Sequence, residues 1–242
     1  MPKNAKTYVA IVIAAGAAML LFAAGSWSSA NARQFALFLG LAALASTCKV
    51  RIPGMETTMS PNFVFLLLSI VTCRLSEVMV IGLTAALVQS CWRAKKIRAV
   101  QISFSAAALV VSSCFSYVTA HFLLARGGAD TPVPLIILAG AFYLPLNTAL
   151  VAAVVALVER KPVRHVARTC YEHVFPYFIG GILFAGLVSG AFDRGAAWKA
   201  AVVLMPVVML GYLYAASRKS AVPHQRQAFA SPVGEEELVE TR

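Results

Sequence analysis

Long apolar runs, separated by short polar segments, fill the chain from Tyr8 to Ala216. A helix needs roughly 20 apolar residues to cross the hydrocarbon core of a bilayer. Eight runs are candidate transmembrane helices, over residues 8–24, 34–48, 62–73, 75–91, 100–124, 134–158, 174–192 and 198–216. The second and third runs are shorter than a full crossing. The pattern therefore predicts the all-α fold of a polytopic transmembrane helix bundle, with about eight helices of which two are short.

The composition agrees with a bilayer as the surroundings of the protein. Only 13% of the 242 residues are charged and 60% are hydrophobic, whereas about 25% of the residues in a soluble domain are charged. The net charge of +11 would suit nucleic acid, but the basic residues are scattered between apolar runs without interleaved aromatic side chains. We therefore expect the lipid bilayer, and no nucleic acid, as a partner.

The distribution of Lys and Arg predicts the orientation of the helices. With the N-terminus in the cytoplasm, 16 of the 21 basic residues fall in cytoplasmic segments and 5 in outer segments. The outer ones are Arg33, Arg74, Arg126, Arg194 and Lys199. Because cytoplasmic segments of membrane proteins are enriched in Lys and Arg, this asymmetry predicts that both termini lie in the cytoplasm.

The third and fourth runs could form one long apolar helix over residues 62–91, interrupted only by Arg74 and Glu77. A single helix would place one terminus outside. We expect instead a tight outer turn in which Arg74 and Glu77 form a structural ion pair, because two charges at mid-membrane are costly.

Both ends of the chain carry further signals. Lys3 and Lys6 precede an apolar run that is followed by Ala30-Asn31-Ala32, as in a cleaved secretory signal. The apolar run of 17 residues is longer than the usual 7 to 15, so an uncleaved first helix is preferred. Prolines and a Glu run after Ala216 predict a disordered cytoplasmic tail over residues 217–242, beyond a transmembrane domain over residues 1–216.

The segment over residues 49–62 is the best candidate for a functional centre. Its turn-forming and hydroxyl residues, Pro53, Gly54, Thr57, Thr58 and Ser60, lie between two runs too short to cross a membrane. Such a pattern is typical of a re-entrant element, although an ordinary cytoplasmic loop remains equally open. Gln89 and Asn147, polar residues within apolar runs, are expected to join this centre, with interhelical hydrogen bonding as the alternative for both.

No pattern in the chain indicates catalysis. His165, Glu172 and His173 lie close together, but their spacing is not that of H-E-x-x-H, and no two of the five cysteines form a C-x-x-C pair. Phosphate-binding and nucleophile motifs are also lacking from the sequence. We therefore expect no catalytic residue, no metal, no cofactor and no enzymatic activity.

A resemblance to a known family begins at the same segment. The motifs Lys49-Val50-Arg51-Ile52-Pro53-Gly54, Thr58-Met59-Ser60, Phe63-Val64-Phe65 and Gln89-Ser90-Cys91-Trp92-Arg93 resemble the N-terminal multi-helix membrane domains of bacterial HD-GYP and GGDEF signalling proteins. The likeness extends in looser form to about Tyr214. It implies a sensory domain of the bacterial inner membrane, with its C-terminus in the cytoplasm.

The sequence departs from that family in two ways. Ser105 follows Phe104 where such domains tend to have Asn, and no phosphodiesterase or cyclase sequence follows Ala216. A sensor of this kind is expected to act through a separate signalling protein, and a homo-oligomer stays open. A weaker resemblance is to the small substrate-binding subunits of energy-coupling-factor transporters, which would make the chain a capture subunit for a small molecule or ion.

Overall fold

A computed structural model describes residues 1–29, 31–48, 50–51, 58–92, 98–127 and 132–192 of the chain. In these ranges the chain forms seven helices and two short strands. They are α1 (Lys3–Gly25), α2 (Ala32–Thr47), β1 (Val50–Arg51), β2 (Thr58–Met59), α3 (Asn62–Thr72), α4 (Leu75–Cys91), α5 (Ala99–Gly127), α6 (Pro132–Glu159) and α7 (Val163–Phe192). The all-α class that the sequence predicts is therefore confirmed, while the predicted eighth helix and the tail lie outside the described residues.

The break between the third and fourth helices is confirmed at the predicted place. α3 ends at Thr72 and α4 begins at Leu75, so residues 62–91 are not one helix. The seventh helix differs from the prediction, since it begins at Val163 rather than near residue 174. Val166 explains the extension, because it is buried against Ala152 and Ala156 of α6 and this contact stabilises the added turns.

The strands were not predicted. Val50 pairs with Met59 and Arg51 with Thr58 in an antiparallel register. This pairing draws together the two ends of the segment proposed as a functional centre. It also leads the chain from the end of α2 to the start of α3, so both helices have an end on the same side of the bundle.

Polar contacts between helix ends show that α1 to α5 alternate in direction. Ser28, which follows α1, contacts Arg74 at the start of α4, and His121 near the end of α5 contacts Ile70 near the end of α3. At the opposite side, Ser46 near the end of α2 contacts Asn62 at the start of α3. Residues that the sequence places on one side of a membrane thus meet one another.

The short helix α3 is the centre of the bundle. It packs against α2, α4, α6 and α7, and its residues from Asn62 to Ile70 are all buried. At 1.5 Å per residue its 11 residues measure about 16 Å, roughly half of a bilayer core of about 30 Å. A helix that is apolar on every side is a core element.

Three helices in the described ranges are long and apolar enough to cross a membrane. They cover Lys3–Gly25, Ala99–Arg126 and Pro132–Glu159. α2, α3 and α4 are shorter apolar helices.

Candidate functional site

Four polar side chains meet at the end of the bundle where α2 ends and α3 begins. Ser46 of α2, Ser60 before α3, Asn62 of α3 and Gln89 of α4 form one hydrogen-bonded group, which we call the inner polar cluster after its predicted side. Two of its members, Ser60 and Gln89, belong to the centre that the sequence predicts. Asn62 is the residue that joins them to α2.

Two donors of the inner polar cluster meet at one acceptor, the side-chain oxygen of Gln89. Ser60 Oγ donates to Gln89 Oε1 at 3.0 Å, and Asn62 Nδ2 donates to the same oxygen at 3.1 Å. The second hydrogen of Asn62 Nδ2 reaches Ser46 Oγ at 3.1 Å. Ser46 Oγ in turn donates to the carbonyl oxygen of Ala42 at 2.7 Å. The bonds among the four side chains therefore connect α2, α3, its leading segment and α4.

The chemistry of this cluster is neutral hydrogen bonding. Its four described members are hydroxyls and amides, which donate and accept hydrogen bonds without carrying a charge. Ser46, Ser60 and Asn62 are at most 5% exposed. In a membrane protein such buried amide and hydroxyl pairs hold helices together, at about 0.6 to 2 kcal/mol each. A ligand that entered here would have to replace these bonds.

The remaining residues of the predicted centre are Pro53, Gly54, Thr57, Thr58 and Asn147. Pro53, Gly54 and Thr57 lie outside the described residues, and Thr58 is placed by its backbone in β2. Asn147 lies within α6, three residues after the buried Leu144. Its Oδ1 atom is buried without a hydrogen-bond partner among the described residues, so it makes no bond there with Gln89.

A second polar group lies at the opposite end of the bundle, around the turn between α3 and α4. Glu77 is 1% exposed. Its Oε2 accepts from the backbone N–H of Arg74 at 2.8 Å, and its Oε1 accepts from Ser29 Oγ at 2.5 Å. The Arg74 guanidinium donates to Ser28 Oγ at 2.6 Å. We call these four residues the outer polar cluster.

The outer polar cluster corrects the predicted ion pair between Arg74 and Glu77. In the described part of the chain, the ion pair within 4.0 Å joins Lys161 to Glu159 at 2.7 Å, on the surface. Glu77 is the third residue of α4, and a carboxylate there caps the free backbone N–H before the helix. The physical reason is that the free N–H of Arg74 lies 2.8 Å from the buried carboxylate, whereas the guanidinium reaches Ser28 toward the surface.

The two polar clusters lie at the two ends of α3. Asn62, the first residue of α3, belongs to the inner polar cluster. At the other end, Nε2 of His121 donates to the carbonyl oxygen of Ile70 at 3.1 Å. The last carbonyls of a helix lack partners within it, so His121 satisfies one of them. Both ends of the buried helix are thus held by side chains of other helices.

Sequence reasoning missed Ser46, Ser28 and Ser29 as members of these groups, and it included Asn62 only as the last residue of the predicted segment, without assigning it a role. Asn62 was detectable, since it is an amide at the first position of a wholly apolar run. The serines were not, because serine is common at helix interfaces and ends and nothing in the local sequence distinguishes these three.

No group of three or more His, Cys, Asp or Glu side chains in the described ranges could hold a metal ion. Comparison of the chain with protein-family models, with curated proteins and with solved structures gave no match.

Proposed function

We propose that the chain is a multi-pass protein of the bacterial inner membrane, with both termini in the cytoplasm. The pattern of burial supports this. Ser46, Ser69 and Ser112 are completely buried, while Leu21 and Phe22 are 74% and 68% exposed. A soluble protein seldom exposes many large apolar side chains over continuous helix surfaces, whereas lipid would cover them.

Two tryptophans support the same proposal. Trp27 follows α1 and Trp92 follows α4, and they are 48% and 47% exposed. Trp is enriched where membrane proteins cross the interface between lipid and water. These positions lie at opposite ends of the bundle, which the charge distribution assigns to the outer and the cytoplasmic side.

Within the membrane, we propose a sensory or input domain that acts without catalysis through a partner protein. The observation that supports this proposal is the position of α3. It is a buried helix whose two ends contact polar side chains of other helices at opposite sides of the bundle. A shift of His121, which contacts the last turn of α3, would move α3 and thereby strain the inner polar cluster. Packed interiors transmit such shifts because they deform little.

The topology can be tested with reporter fusions. Reporters fused after Arg98, Arg168 and Arg218 should lie in the cytoplasm. Reporters fused after Gly128 and Gly195 should lie in the periplasm. The reason is the unequal distribution of the 21 basic residues. Alkaline phosphatase and green fluorescent protein fused at the same sites provide opposite readouts. A periplasmic signal after Arg218 would contradict the eight-helix arrangement.

The sensory role can be tested by affinity purification of the tagged full chain from native membranes. The wild type should enrich a protein that carries a signalling output domain, and Gln89→Leu should reduce that enrichment because it removes the central acceptor of the inner polar cluster. Gln101→Leu is the matched control, since Gln101 is exposed at the start of α5. Both variants are first shown to be monodisperse.

Two other outcomes of the purification would contradict this proposal, the first its sensory role and the second the part assigned to the inner polar cluster. Enrichment of an ATPase pair would indicate the transporter-subunit function instead. Equal enrichment by wild type and Gln89→Leu would show that the inner polar cluster does not affect the partner.

A further inference from the structure

Three buried polar atoms in the middle of the bundle have no hydrogen-bond partner among the residues that the structure describes. They are Oγ of Ser112 and of Ser116 on α5, and Oδ1 of Asn147 on α6. Both serines are 0% exposed. An unpaired buried polar group is unfavourable because it has lost its hydrogen bonds to water, and in lipid no bulk water is available to satisfy it.

The contacts between α5 and α6 place these atoms at similar depth. The rings of Phe115 and Phe142 are 6.1 Å apart between centroids. Tyr8 stacks near Phe104 of α5 and donates to the carbonyl oxygen of Leu150 of α6. The two helices are therefore antiparallel.

Counting from the Phe115 and Phe142 pair gives the depth of each polar residue. Ser112 lies three residues before Phe115, and Asn147 lies five residues after Phe142. Because the helices are antiparallel, both counts run toward the same end of the bundle. At 1.5 Å per residue, their depths differ by about 3 Å.

The packing of the two helices indicates that these residues lie toward a shared interior. α5 and α6 contact each other, and Ser112, Ser116 and Oδ1 of Asn147 are all buried. Ala108, one turn before Ser112, belongs to a core cluster against which Leu150 and Val154 also pack. Leu150 and Val154 follow Asn147 at three and seven positions, which is one face of a helix. We therefore assign Ser112 and Asn147 to neighbouring sides of α5 and α6, with Ser116 one turn further along α5.

Three unpaired polar atoms are what a buried water molecule requires. Such a molecule typically makes about three hydrogen bonds to polar groups that otherwise lack partners. Oγ of Ser112, Oγ of Ser116 and Oδ1 of Asn147 are three such atoms.

We propose that the interface of α5 and α6 binds ordered water, held by Ser112, Ser116 and Asn147. The hydroxyls can donate or accept, and Asn147 Oδ1 accepts from the water. The site takes a small neutral molecule, because no ionised group faces it from the residues named. It is separate from the inner polar cluster, which lies at the end of α3.

Thermal stability of the detergent-solubilised full chain gives a first test. If water pairs the serines, Ser112→Ala and Ser116→Ala each remove a made hydrogen bond and should lower the melting temperature by about 2 to 4 °C. Ser113→Ala is the matched control, since its hydroxyl donates within α5 to the carbonyl oxygen of Leu109. If the site is dry, removal of an unpaired hydroxyl should leave the melting temperature unchanged or raise it, which would overturn the proposal.

Solid-state NMR in deuterated lipid gives the direct test. Magnetisation transferred from water should reach the side-chain amide of Asn147 in wild type and in Ser113→Ala, and should be lost in the Ser112→Ala/Ser116→Ala double variant. No transfer in wild type, or transfer that persists in the double variant, would rule out water held by these serines.

Discussion

Gly181→Ala is expected to destabilise the protein by about 1 to 3 kcal/mol, the usual cost of overpacking a core. A Cβ at this position would overlap Cζ of Phe63 and lie 2.5 Å from its Cε2 and 3.0 Å from Cγ2 of Val64. Phe63 cannot move away easily, because it is 2% exposed and its ring lies 4.2 Å from that of Phe178. The added methyl group would therefore push α7 away from α3.

The neighbouring glycine is an unusually close control for this change. A Cβ at Gly180 would meet no atom within 4 Å. Gly180→Ala should therefore be neutral or stabilise α7 by up to about 1 kcal/mol, through the higher helix propensity of alanine. The two variants are distinguished by their melting temperatures in detergent. Size-exclusion chromatography of heated samples measures how much protein remains folded at each temperature. Equal behaviour would mean that α7 does not pack against α3 at Gly181.

Glu77→Lys is expected to lower the stability by about 3 to 5 kcal/mol, because it leaves an uncompensated charge in a buried site. Glu77 is 1% exposed, and the two groups that contact it, the Arg74 N–H and the Ser29 hydroxyl, both donate to it. An ammonium group there would face donors and could accept from neither. Glu77→Gln should cost less, since its amide oxygen still accepts one of the two bonds.

The surface pair of Glu159 and Lys161 provides the control for charge reversal. Their side chains are 46% and 57% exposed, so Glu159→Lys should change the stability by no more than about 1 kcal/mol. The double variant Arg74→Glu/Glu77→Lys decides between capping and ion pairing. We expect it to remain as unstable as Glu77→Lys, and recovery of the melting temperature in the double variant would show that the side chains pair after all.

The sequence determined the helices of this protein to within a few residues over most of the described chain. Apolar runs bounded by charges and turn residues predicted α1 to α6, including the break that separates α3 from α4. These features are local, since each depends on the length of a run and on the cost of a charge within it. The late start predicted for α7 was wrong because its first turns are polar and gain their stability from contact with α6.

Only the tertiary structure decided which side chains meet. Ser29 and Glu77 are 48 residues apart, and Ser60 and Gln89 are 29 apart. Gly180 and Gly181 are equivalent in the sequence, yet one faces open space and the other faces Phe63. In a soluble helix an apolar stripe marks the buried face. In a bundle surrounded by lipid, as proposed for this chain, the surroundings and the core are equally apolar, so the helix surface that packs against a neighbour carries no such mark.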